Sequence, residues 1–309
     1  MHPLDSIKPF FLSADPVHRA NELLSHFLFV RGDVKSAAPR IRLQLREEEV
    51  MRDNGNRGGM AAGQSLLALV ARVSHDIACK GENFPPLGPN ETALRVGGSS
   101  RVVVNDAGFV TTADDGDNNI AATIKKLQAD GLLPADNRTN GVNVFEAATG
   151  EILLNTERNY MEVKTPRFQG ICAEAGAVAD LGNLAVSRMT RRGCLSLVAV
   201  DGLKDIKSAG RLLLVYATNV LNSGMSFADE DMTRLLKIGT LPVLLEQGAF
   251  TVTVRNVNAA NLRLYPLSLT GERLKEIAPV SATAEAATFS VDTAKDGATV
   301  FFEIVPAGK

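Results

Sequence analysis

The hydropathy pattern changes character partway along the chain. Before about residue 135 apolar positions recur mainly three and four apart; after about residue 142 they alternate with polar ones in short runs. In the first part, Val17, Ala20, Leu24, Phe27 and Leu28 form one stripe, which predicts a helix over 16–31. Pro16 suits its first turn, and Asp15 offers a cap for the free amides. Little chain precedes this stripe, so the helix is expected to dock onto something later in the sequence or onto a partner. Residues 40–46 (RIRLQLR) alternate and predict a half-exposed strand. Residues 59–78 place Leu66, Leu69, Val70, Val73 and Ile77 on one face and predict a second helix. Short strands follow at 93–96 and 101–105. A third helix carries Ile120, Ile124 and Leu127 inward and stops at Gly131.

From residue 142 onward strand follows strand. EILLN, YMEVK, GICAEA, LAVSRM, CLSLVAVD, RLLLVYATNV, LPVLLE, FTVTVRNV, LRLYPL, ATFSV and TVFFEIV are separated by turn residues. Regular turns between alternating runs are the signature of an antiparallel β-sandwich or barrel. The expected class is α+β with several domains. A helical segment spans 1–36, a small α/β layer spans 37–135 and an antiparallel β-sandwich spans 136–309. The acidic run FADEDMT (227–233) reads as an exposed connection.

Composition narrows the function classes. The 309 residues are 45% hydrophobic and 22% charged, enough to bury a sizeable core. A net charge of −2 argues against a nucleic-acid partner, which would need a basic stripe. No apolar run approaches a membrane span. MHPLDSIKPFFL lacks a basic segment leading an apolar one, so no signal peptide is read and a cytoplasmic location is expected for the chain as supplied. Cys79, Cys172 and Cys194 are too few and too irregular for a disulfide framework or a zinc site. Each lies in apolar surroundings and is expected to be a buried thiol, with a Cys172–Cys194 bridge between strands as the alternative. The chain has no Trp and three Tyr, which disfavours an exposed sugar-stacking surface.

The familiar catalytic patterns are missing. There is no G-x-S-x-G elbow, no Walker loop and no H-E-x-x-H pair, and His2, His18, His26 and His75 are scattered. The run Asp114-Asp115-Gly116-Asp117-Asn118-Asn119 could ligate calcium, with Asp114 and Asp117 as the candidate ligands. It directly precedes a helix, where such residues cap free amides, and capping is the expected role. No cofactor is implied. Glycoside cleavage needs two carboxylates at a set separation. Many acids are present, including Glu47, Glu48, Glu49, Glu162, Asp229 and Glu230, but none sits in a local signature.

One long stretch has a recognisable order: Thr149-Gly150-Glu151; Thr165-Pro166-Arg167 with Gln169-Gly170; Ser208, Leu212 to Leu214 and Ala217; Asn222 to Met225; then Pro242 to Glu246. It resembles the C-terminal region of large bacterial glycoside hydrolases with a (β/α)8 catalytic barrel. The segment FLSADPVHRANELLSHFLFVRGDV resembles the helix that ends such a barrel. The resemblance implies carbohydrate chemistry and an accessory role. It supplies no catalytic residue, because that family's glutamates lie on barrel strands upstream of anything matched here. The chain reads either as a truncated product or as a standalone descendant. A standalone glycosidase would need a site improvised between domains from Asp114, Asp115, Asp117, Glu151 or Asp201; a carbohydrate-binding or assembly module is the other alternative. The first helix, left without a barrel, is expected to mediate a homo-oligomer. Arg167 is expected to pair with a buried acid such as Glu151 or Asp201.

Overall fold

The computed structural model describes residues 15–48, 66–95, 120–230 and 232–308, together with the backbone of 101–104 and 110–113. The chain is mostly sheet with few helices, an α+β protein. It divides into two compact units, residues 35–157 and residues 1–34 with 158–309.

The expected first helix forms as α1 (Pro16–Ser25), with the Asp15 carboxylate accepting the His18 N–H at 2.9 Å. It continues into one π-helical turn, His26–Val30. Ala20 and Leu24 are buried and α1 packs on a strand of its own unit, so later chain covers part of the stripe. Phe29 and Val30, at the end of the π turn, point outward.

The unit 35–157 is built on a parallel sheet. Strand β1 (Arg40–Arg46) lies centrally between β2 (Arg72–Ala78) and β3 (Glu91–Arg95). The helix expected over 59–78 is therefore corrected in its described part: helix α2 covers Leu67–Val70, the residues after it are strand, and 59–65 lie outside the described residues. Val73 and Ile77 are spaced as on a helix face, but both are β-branched, and every residue from Arg72 to Ala78 is paired in register with β1. Tertiary pairing overrides the local period, and Ile77 ends 58% exposed. A hairpin of β4 (Arg101–Val104) and β5 (Val110–Ala113) precedes helix α3 (Ile120–Ala129), which buries Ile124 and Leu127 as expected. A second hairpin, β6 (Val144–Glu146) and β7 (Ile152–Asn155), follows. Phe145 of β6 joins Ile41, Leu43, Leu67, Val70 and Leu127 in one apolar cluster. That packing is why the unit extends to Glu157 instead of ending near 135.

The other unit holds two antiparallel sheets. The larger contains β8 (Tyr160–Lys164), β9 (Phe168–Ala173), β12 (Gly193–Ala199), β13 (Leu212–Ala217), β19 (Leu262–Pro266) and β22 (Phe301–Pro306), ordered β19-β22-β13-β12-β9-β8. The smaller contains β10 (Ala179–Asp180), β11 (Leu184–Met189), β18 (Ala249–Arg255), β20 (Ser281–Ala282) and β21 (Ala286–Asp292), ordered β10-β11-β18-β21-β20. Alternate residues of both sheets enter a single apolar cluster: Leu195, Leu197, Leu214, Phe302 and Ile304 from one, Val186, Phe250, Val252, Phe289 and Val291 from the other. At its centre the Phe250 ring meets Tyr216 and Phe302 edge-on, at centroid separations of 5.0 and 5.4 Å. Two ribbons, β14 (Val220–Ser223) with β17 (Thr240–Leu245) and β15 (Ser226–Phe227) with β16 (Leu235–Lys237), project from the sheets, and the acidic run 227–233 connects the second pair.

All three cysteines depart from the expected buried thiols, two of them by the alternative bridge. Cys172 and Cys194 face each other across β9 and β12 and form a disulfide, and Cys79 is exposed. Register explains the bond: an antiparallel pairing of these strands through Leu195 and Ile171 sets the two sulfurs side by side. Replacing Phe250 by Ala is expected to lower unfolding free energy by about 3–5 kcal/mol through cavity formation, measured by urea denaturation followed by circular dichroism.

Candidate functional site

The motif 165–170 sits at a joint inside the larger unit. The Thr165 hydroxyl accepts the Phe168 N–H at 2.9 Å and closes a turn ahead of β9. The carbonyls of Pro166 and Arg167 accept the N–H groups of Ile206 and Ala199, both at 2.9 Å. The buried Gln169 Oε1 accepts the N–H groups of Asn183 and Leu184, both at 2.8 Å. Because Gln169 lies on the larger sheet and Leu184 begins a strand of the smaller one, this one amide ties the two sheets together. Gly170 is required for closeness: a Cβ there would stand 2.6 Å from the Ser196 Cβ on the neighbouring strand.

Arg167 does pair with a buried acid, and that acid is Asp33, not Glu151 or Asp201. Its guanidinium lies 2.9 Å from Asp33 Oδ1. Arg31 donates from Nε to the same oxygen at 2.9 Å and from Nη2 to Oδ2. The Asp33 side chain is 0% exposed, and Arg31 and Arg167 are 14% and 19% exposed. Arg31 also donates to the Ala199 carbonyl at 2.6 Å and stacks on Phe27 with its guanidinium carbon 4.3 Å from the ring centroid. Two guanidiniums engage both oxygens of the Asp33 carboxylate, and the side chain has no exposed surface to present to a substrate. Sequence reasoning missed Asp33 because RGDV reads as an ordinary turn. Its partner is 134 positions away, beyond any local window.

Glu151 and Asp201 are engaged differently, each by a backbone amide. The Glu151 carboxylate accepts the Lys35 N–H at 2.8 Å, following a turn in which Gly150 takes φ 70°. Asp201 accepts the Gly210 N–H at 2.8 Å and stands 3.6 Å from Lys204 Nζ. Glu151 belongs to the unit 35–157 and Asp201 to the other. Asp114, Asp115 and Asp117, and with them the calcium reading, lie outside the described residues. Glu303 repeats the Asp33 pattern on β22, taking Arg273 at 2.6 Å and Arg211 at closer range. The smaller unit inverts it: the nearly buried Arg42 sits between Asp76 at 2.6 Å and Glu91 at 3.1 Å and donates to the Pro86 carbonyl at 2.9 Å. Among the described residues no group of three or more His, Cys, Asp or Glu is arranged to hold a metal ion.

An open groove of about 770 Å³ lies in the larger unit, lined by Pro16, Leu241, Pro242, Val243 and Leu245 with Thr299. Its lining carries no ionisable side chain. It can accept apolar surface but offers no acid–base chemistry.

The chain matches no family model, no curated protein and no solved structure.

Two outcomes follow from the charge pairing. Replacing Asp33 by Asn leaves two nearly buried guanidiniums without a counter-charge and should cost about 3–5 kcal/mol, whereas Glu151→Gln, at a more exposed pair, should cost less than about 1 kcal/mol; chemical denaturation of both variants compares them. Acid stability is the second. Arg255 and the Gly182 N–H hold Asp180 down, from 3.8 to about 2. Burial pushes Glu303 up, but Arg273 and Arg211 outweigh it and hold it below its ordinary value. The Gly88 N–H leads the groups that hold Glu91 down. A carboxylate whose folded pKa is depressed contributes stability that is complete above its unfolded pKa and is lost as pH falls through the folded one. The urea midpoint should therefore be flat from about pH 7 to about pH 5 and fall between about pH 4 and about pH 2.

Proposed function

We propose that this chain is a non-catalytic supporting region of glycoside-hydrolase type, whose larger unit is a β-sandwich acting beside a catalytic (β/α)8 barrel. The observation that carries the reading is the placement of the shared motif. Thr165, Pro166, Arg167, Gln169 and Gly170, the residues most like that family, all serve as joints: a turn, two backbone anchors, an amide bridging two sheets, an ion pair with Asp33 and a close strand approach. None lines the groove formed around Leu241, Pro242 and Leu245. The sandwich part of the proposal rests on two antiparallel sheets contributing alternate residues to one apolar cluster.

The carboxylates point the same way. A glycosidase acid must be protonated near neutrality, which requires a desolvated carboxyl kept apart from cations. Glu151 and Asp201 hold backbone amides, and Asp33 and Glu303 are each clamped by two arginines.

The purified chain, incubated with a panel of aryl-glycosides, is expected to release no aglycone above the buffer rate. Turnover that disappears in Glu151→Gln or Asp201→Asn while the melting temperature is unchanged would overturn the proposal in favour of a standalone glycosidase. Retention on insoluble polysaccharide without turnover would replace it with a carbohydrate-binding module.

A further inference from the structure

The Cys172–Cys194 bond lies at a particular place in the connectivity. The chain leaves the larger sheet at the end of β9, passes to the smaller sheet as β10 and β11, and returns at the start of β12. The two cysteines are the last-but-one residue of β9 and the second residue of β12, 22 positions apart, so the bond closes a ring at the root of this excursion. Its far end is held separately. Gln169 accepts two N–H groups at Asn183 and Leu184, and Arg255 pairs with Asp180 at 2.8 Å. The return side of the root is tied to β18, with Thr190 donating to the Ala249 carbonyl at 2.9 Å and accepting its N–H at 2.7 Å, whereas on the exit side the Gly176 N–H donates to the Met189 carbonyl at 2.7 Å and Glu174 meets Arg192 at 3.4 Å between largely exposed side chains, a pair that contributes little. Strand β11 is also irregular there, its register with β18 shifting between Val186 and Arg188.

The bond is placed so that it can open without disturbing the core. Ile171 and Ala173 of β9 and Leu195 and Leu197 of β12 enter the apolar cluster, so strand alternation directs Cys172 and Cys194 to the opposite face. Both cysteines are partly exposed. The hydrogen-bonded pairing of β9 with β12 keeps the two thiols opposite each other once reduced, which favours closure over pairing with another thiol.

We propose that Cys172–Cys194 is a reversible redox staple that holds the exit segment 174–178 of the β10–β11 excursion when oxidised and loosens it when reduced, while β9 and β12 stay paired. Opening consumes two small-molecule thiols. The first attacks one sulfur, breaking the S–S bond to give a mixed disulfide and one cysteine thiol. The second attacks the small-molecule sulfur of that mixed disulfide and displaces the remaining cysteine, leaving two cysteine thiols and one small-molecule disulfide. Closing is the reverse, with glutathione disulfide or an equivalent disulfide as the oxidant taking up two electrons and two protons. Cys79 is poorly suited to compete: hydrogen bonding to Glu47, with the charges of Glu47 and Glu82 beside it, pushes its thiol up and disfavours the thiolate. The staple's state then follows the thiol balance of its surroundings.

Peptide-level amide exchange of the whole chain, with and without dithiothreitol, tests this. Reduction should accelerate exchange in residues 174–178 by about tenfold or more while β13 and β22 stay protected. The double variant Cys172→Ser/Cys194→Ser should show the fast pattern without dithiothreitol and no response to it; if that variant does not fold, the wild-type comparison alone decides. Three titratable thiols in protein handled without reductant would overturn the proposal, as would unchanged exchange on reduction. Exchange rising together across the unit would also overturn it, by making the bond a global structural brace.

Discussion

Asp33 carries a charge with no exposed side-chain surface, and the surroundings must supply what water would have supplied. Arg31, two residues away, and Arg167, on the far side of the sequence, do so together. This pairing constrains more than one residue. It holds the end of the first helical segment against the turn that starts β9, and Arg31 extends the tie to the Ala199 carbonyl at the end of β12. An isolated buried carboxylate would be costly to ionise, and a buried pair with one partner removed more costly still. The fold therefore cannot exchange either arginine or the aspartate one at a time.

The same logic recurs with different participants. Glu303 is clamped by Arg211 and Arg273 on β22, and Arg42 is clamped by Asp76 and Glu91 on the parallel sheet. In each case one nearly buried charge meets two of opposite sign drawn from separate elements. Such pairs add modest net stability compared with apolar packing, but they penalise any arrangement that separates the partners. The apolar cluster of Phe250, Tyr216 and Phe302 supplies cohesion, and the charge clamps select which strand ends and loops meet around it.

What the sequence made legible follows from the range of the interactions involved. Alternation and apolar runs from residue 142 onward locate the longer strands of the larger unit, and miss the two- and three-residue strands β10, β15, β16 and β20, which are too short to show a period. Helices α1 and α3 show through their stripes and their caps. The segment Arg72–Ala78 does not: Val73 and Ile77 fit a helical spacing, and only pairing with a strand some thirty residues earlier reveals it as β2. Asp33 is hidden for the same reason, and the Cys172–Cys194 bond, open as an alternative in the sequence, is decided only by the pairing of β9 with β12. Their partners are set by register and topology, which a local window does not contain. The 165–170 motif was visible by resemblance, but its roles as turn, anchor and inter-sheet amide emerge only when residues 183, 184, 199 and 206 are brought beside it.

The direction of the carboxylate shifts bears on chemistry as well as on folding. Among the described residues, every acid with a resolved shift is moved down: Glu91, Asp180, Asp229, Asp292 and Glu303. The causes are guanidiniums, a hydroxyl, an ammonium and backbone N–H groups, all of which favour the charged form. A general acid for glycosidic cleavage needs the opposite environment, an apolar wall and no cation, so that the proton is retained near neutrality. Stabilising a fold with cation-matched acids and poising an acid for proton donation are thus competing uses of the same side chain. Glu91, Asp180, Asp229, Asp292 and Glu303 serve the first of these uses.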